Sequence, residues 1–215
     1  VKGKRAVDWR LVDEVVPNSA FDEIVAERAA EFAKASDKPD AKGIALTPIE
    51  RTIADDGSVS YGLVEVQVNR DGRTATITLN GPEDTAPADM AAVEVQGADF
   101  YLLRLAREFE DALLHLRLNE MECGLWTLRT QGDPEALIAY EALLRDNADH
   151  WLANEIRHHW KRTLKRLDVT SRSLVTLVEH GSCFAGVLAE LIWAADRSYM
   201  MEDEFEGDNR PLATI

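Results

Sequence analysis

A chain of 215 residues, 46% hydrophobic and 29% charged, can bury a core and form one or two domains, which excludes wholesale disorder. The formal net charge of -15 and a pI near 4.7 argue against a nucleic-acid backbone as partner, although a local cationic patch can still hold an anionic ligand. Cys123 and Cys183 form neither a disulfide framework nor a CxxC pair, no apolar run approaches the about 18–20 residues of a membrane span, and nothing resembles a signal peptide. The expected setting is therefore the cytoplasm, with no membrane. Val1 in place of Met, and Ile215 inside an apolar run, suggest a piece of a longer protein with both ends inside folded modules.

Residues 1–35 read as helix, turn and helix. Asn18 or Ser19 can cap the second helix, in which Phe21, Ile24, Val25, Arg28, Ala29 and Phe32 share a face. This segment buries too little apolar surface to fold alone. From 36 to 60 the periodicity stops and Lys, Asp, Pro, Gly and Ser accumulate, as in a connector packed through Ile44, Leu46 and Ile49. Then Val64, Val66 and Val68 alternate with Glu65, Gln67 and Asn69, Asp71-Gly72 signals a turn, and Ala75, Ile77 and Leu79 alternate on the way back: a β-hairpin.

A polar loop should follow, then a helix over about 98–118 with Leu102, Leu105, Phe109, Leu113 and Leu116 inward and Arg104, Arg107, Glu108 and Glu110 outward. Leu125–Arg129 is β-prone. Asp133-Pro134-Glu135 has the form of a helix cap, first-turn proline and first-turn acid. A further helix carries Trp151, Ile156, Trp160, Leu164 and Leu167. Ser173–Val178 is a strand, GSCFAG a loop, AELIWAA a helix, and Arg197–Met201 a strand. Strands alternating with helices imply parallel crossovers and the α/β class.

Residues 61–80, with VEVQVN and TATITLNGP, resemble the opening strands of the crotonase (enoyl-CoA hydratase/isomerase) superfamily. Residues 174–199, LVTLVEHGSCFAGVLAELIWAADRSY, resemble its central motif, with Glu190, Leu191 and Asp196 in place. Residues 1–35, GKRA then LVDEVVP and an Ala-rich helix, resemble its closing segment. Closing segment before opening hairpin is the order at the junction of two fused modules. The resemblance implies the closing helices of one crotonase-like module (1–35), a linker (36–60) and part of a second ββα spiral module (61–215).

The resemblance also implies a lyase or hydrolase acting on a CoA thioester, with coenzyme A arriving as part of the substrate and no separate cofactor. A homo-oligomer is implied, a dimer in the two-module form. In the superfamily two backbone N–H groups hold the thioester oxygen, and such preorganised donors contribute several orders of magnitude in rate. One maps to Gly186 and Val187; the family's consecutive glycines are Gly186-Val187-Leu188 here, which adds bulk beside the ligand. The other falls at Gly132 or Asp133, where TQGDPEAL stands in place of the family's F-x-x-G-x-D-L run. Glu190 matches one of two water-handling glutamates, the second falling beyond Ile215; capping the loop or pairing with an arginine is its structural alternative. Ser182 and Cys183 either contact the ligand or satisfy backbone groups of the loop.

No metal is expected. Glu155, His158 and His159 share a helix but lack H-E-x-x-H spacing. Trp126, Trp151, Trp160 and Trp193 read as core or interface. Two other readings remain open: a hydratase or isomerase on a different acyl-CoA, and a catalytically silent module serving scaffold or dimer contacts.

Overall fold

The computed structural model describes residues 1–37, 42–202, 207 and 210–215, which fall into two compact units, Val1–Gly43 and Ile44–Ile215. In the first unit α1 spans Lys4–Asp8 and α2 spans Phe21–Lys34. Asn18 and Ser19 do not cap α2; they form a turn of 3-10 helix ending at Ala20, and the first-turn acids Asp22 and Glu23 complement the helix dipole instead. None of this unit's described residues is buried, and Trp9, Leu11, Phe21, Val25 and Phe32 are exposed.

The second unit is the mixed α/β arrangement expected from alternating strands and helices. Its seven described strands are β1 (Thr52–Ile53), β2 (Val59–Ser60), β3 (Val64–Asn69), β4 (Thr74–Asn80), β5 (Leu125–Gln131), β6 (Ser173–Val178) and β7 (Arg197–Met200), forming one sheet in chain order. Pairs from β1 to β4 are antiparallel and pairs from β4 to β7 are parallel. The residues expected to be a plain connector thus supply two short strands, with Val59 buried in the core. The hairpin turn expected over Asn69-Arg70-Asp71-Gly72 falls one residue later, at Arg70–Arg73. Asn69 pairs with Thr74, and the left-handed residue is Arg73 at φ 55°, while Gly72 donates its N–H to Asn69 Oδ1 at 2.8 Å.

Each parallel crossover carries helices. Helices α3 (Met90–Gln96) and α4 (Tyr101–Asn119) join β4 to β5, α5 (Pro134–Asp146) and α6 (Trp151–Asp168) join β5 to β6, and α7 (Gly186–Ala194) joins β6 to β7. Strand order that never reverses, with crossovers of one hand, puts every helix on the same face. Burial follows: Ala75, Ile77, Leu79, Trp126, Leu128, Leu174 and Val178 point into the core while the residues between them are half-buried and those at the starts of β5 and β6 are exposed. Helix α3 lies where a polar loop was expected. Its Asp89 accepts the Ala92 N–H at 2.9 Å, and Met90 and Val93 are buried.

The apolar stripe of α4 is buried as its periodicity requires. Glu108, expected outward, is only 4% exposed: its carboxylate takes the Arg104 guanidinium at 2.8 Å and the Leu63 N–H at 2.6 Å, tying α4 to the start of β3. Trp126 and Trp160 are core residues whose indole N–H groups reach the Cys123 and Leu102 carbonyls, whereas Trp193 is exposed. Trp126→Ala is expected to lower the unfolding free energy by about 3–5 kcal/mol, from lost burial, a residual cavity and an orphaned Cys123 carbonyl. Urea denaturation followed by circular dichroism reads it; an unmoved midpoint would show that the indole carries none of the core.

Candidate functional site

The C-terminal ends of β4, β5 and β6 are drawn together by backbone contacts. Gly81 donates its N–H to the Gln131 carbonyl at 2.7 Å, Gly132 to Gly181 at 2.9 Å, and Cys183 to Thr130 Oγ1 at 2.9 Å. Gly132 sits at φ 147°, and a Cβ on it would lie 2.8 Å from the Gly81 Cα. Two backbones touch there, so both positions need glycine. The Gly132 N–H, an expected oxyanion donor, is therefore already engaged within the protein. Asp133 serves as the cap its sequence context announced: its side chain accepts the Glu135 N–H at 2.9 Å, and Pro134 opens α5.

The loop between β6 and α7 is similarly self-satisfied. Ser182 is 4% exposed, accepts the Glu179 N–H on Oγ at 2.9 Å and returns its own N–H to the Glu179 carbonyl. Cys183 is fully buried, and burial pushes its thiol up to about 11, which keeps it protonated and non-nucleophilic at neutral pH. Both residues build the loop, in keeping with their structural alternative. Beyond them Gly186, at φ 49°, starts α7 with Val187.

Val187 presents its N–H where the resemblance placed it, at the positive end of α7, but the N–H is not free. It donates to Glu141 Oε1 at 3.1 Å. Glu141 comes from α5 and lies so close that a Cβ on Gly186 would stand 2.7 Å from its Cγ. Burial pushes the Glu141 carboxyl above the usual carboxylate range; the Val187 N–H, Arg157 and Arg145 pull the other way, and Glu190 adds to the rise. Glu141, Glu190, Arg157 and Lys161 line one cleft of about 630 Å³ with Trp160 and Val187. Glu190 is exposed there rather than buried.

Glu141 was missed by the motif reading, which looked for a second carboxylate after Ile215. The signal was present: Leu137, Tyr140, Glu141 and Leu144 share one helical stripe, and an acid on a buried stripe demands a partner. Two carboxylates, two cations and a backbone donor in one cleft can hold an anionic ligand and move a proton beside it.

Among the described residues no group of three or more His, Cys, Asp or Glu side chains could hold a metal ion, and no helix is long and apolar enough to cross a membrane. His159 instead pairs with Glu110 at 2.9 Å, and Arg166 reaches the same carboxylate at 2.8 Å, joining α4 to α6. Burial pushes the Glu110 carboxyl up, but those hydrogen bonds outweigh it and hold the group below its ordinary value.

No protein-family model matches the chain. An enoyl-CoA hydratase from Shewanella pealeana superimposes on 63% of this chain and 45% of its own, at 17% identity and a TM-score of 0.39. Benzoyl-CoA-dihydrodiol lyase from Aromatoleum evansii is 45% identical over 203 residues, 94% of this chain, and the chain spans 36% of that protein's length. Over nearly its whole length, the chain is a sequence relative of benzoyl-CoA-dihydrodiol lyase.

Proposed function

We propose that this chain is part of a crotonase-type enzyme that acts on a CoA thioester and opens the ring of a 2,3-epoxy- or dihydrodiol-benzoyl-CoA with water, giving an aliphatic semialdehyde-CoA and formate. Its expected setting is the cytoplasm, in a homo-oligomer, with no cofactor beyond the coenzyme A of the substrate. The observation that carries the reading is the cleft at the start of α7, in a chain 45% identical to a protein named for that substrate class. There Val187, whose N–H meets Glu141, lines the same cleft as Glu190, Arg157 and Lys161.

The division of labour follows from the chemistry of these groups. The thioester oxygen accepts the Val187 N–H, whose donor strength is raised by the α7 dipole, and gains negative charge as the acyl system is attacked. Glu190 takes a proton from the attacking water or returns one to the leaving oxygen. Arg157 and Lys161 offset an acidic surface and attract the anionic substrate.

A second reading is a scaffold module, and a specific observation favours it: two of the expected donors, Gly132 and Val187, spend their N–H groups inside the protein. Calorimetric titration of the full-length protein with benzoyl-CoA separates the two. Val187→Pro removes the donor at a first-turn position that tolerates proline. Binding lost in the variant supports the enzyme reading; binding untouched in a folded variant makes this module structural.

A further inference from the structure

Glu141 stands out among the partly buried titratable groups because it already accepts the backbone N–H that the proposed function assigns to the thioester oxygen. Its carboxylate accepts the Val187 N–H at 3.1 Å, its Cγ fills the space left by the missing Gly186 side chain, and it shares the cleft with Arg157, Lys161 and Glu190. Other buried or half-buried carboxylates among the described residues, such as Glu108 on Arg104 and Glu110 between His159 and Arg166, are held in ion pairs.

We infer that Glu141 is a positioning residue that acts as a built-in competitor: its carboxylate holds the Val187 N–H until the carbonyl oxygen of an acyl thioester displaces it. The inference rests on the thioester reading of this cleft. Displacement moves no covalent bond. The Val187 N–H passes from one acceptor to another, while Arg157 of α6, Arg145 of α5 and Glu190 of α7 keep the places around Glu141 that they hold in the free protein. The acceptor must compete for a single backbone N–H, so an acyl carbonyl is selected over coenzyme A without one. Gly186 has a second role here, since any side chain would push Glu141 off the donor.

The sign of the pH dependence follows. Binding removes the hydrogen bond that favours the charged carboxylate while burial and Glu190 continue to disfavour it, so the complex holds a proton on Glu141 more tightly than the free protein does. Ligand binding then takes up protons, and affinity rises as pH falls from about 8 toward about 5.5. A residue that merely supported the loop would give the opposite result on truncation, weaker binding.

The test is calorimetric titration of the full-length protein with benzoyl-CoA and with free coenzyme A, for the wild type, Glu141→Ala, Glu141→Gln and Val187→Pro. Expected are about tenfold tighter benzoyl-CoA binding by Glu141→Ala, unchanged coenzyme A binding, and a flat pH profile in both Glu141 variants. Equal or weaker benzoyl-CoA binding by Glu141→Ala, or a pH slope that survives in the folded Glu141→Gln protein, overturns the inference while leaving the thioester site standing. Binding indifferent to Val187→Pro overturns the site and the inference with it.

Discussion

Under the proposed ring-opening function, Glu190→Gln in the full-length protein is expected to cut turnover of 2,3-epoxybenzoyl-CoA by about 10²–10⁴-fold, the range for loss of a general acid–base group. The same change should leave the thermal midpoint within about 2 °C, since an exposed side chain contributes little to stability. The amide keeps the size and hydrogen-bonding reach of the acid and loses only the proton chemistry. Stopped-flow turnover and a melting curve on one sample read both quantities. Full turnover would remove Glu190 from the mechanism and leave Glu141 as the cleft's remaining carboxylate. A fall in turnover matched by a large fall in melting temperature would make its role structural.

Gly132→Ala should be the most damaging single methyl in the second unit. The residue sits at φ 147°, where an L side chain is strained, and its Cβ would lie 2.8 Å from the Gly81 Cα and 3.0 Å from the Gly81 N. Neither neighbour is a flexible side chain that could swing aside. Backbone strain and overpacking together predict a loss of about 2–5 kcal/mol. Gly124→Ala is the control: a Cβ there meets nothing within 4 Å and φ is ordinary, so the change should stay within about 0.5 kcal/mol. Urea midpoints for the pair decide it. Equal midpoints would mean that the junction of β4, β5 and the following loop can open freely.

Much of this was legible in the residues. Alternation in Val64–Asn69 and Thr74–Asn80 announced the hairpin, and the apolar stripe of α4 announced its buried face, because both signals are local and periodic. What escaped depended on partners distant in sequence. Glu108 looked like a solvent-facing charge until Arg104 and the Leu63 N–H enclosed it. The stretch Met90–Gln96 read as loop because it is short and bounded by acids and Gly97, yet one Asp89 cap and two buried side chains suffice once α4 packs beside it. At the site, motif spacing located the start of α7 and Glu190 but could not reveal that the Val187 N–H would be met by a carboxylate from α5, 46 positions away. Gly132, Asp133, Ser182 and Cys183 were found as a neighbourhood, although their hydrogen bonds build the loop rather than reach outward.

The uninterrupted order of the sheet bears on how the second unit is made. Each strand from β2 to β7 pairs with the strand immediately before it in the chain. During synthesis at a ribosome, every new strand therefore finds its partner already formed, and none must wait for a segment still to emerge. Pairing between successive elements also keeps loop closures short relative to a sheet whose order doubles back. One edge, at β1, stays in place throughout, while the other advances with each new strand of the growing polypeptide.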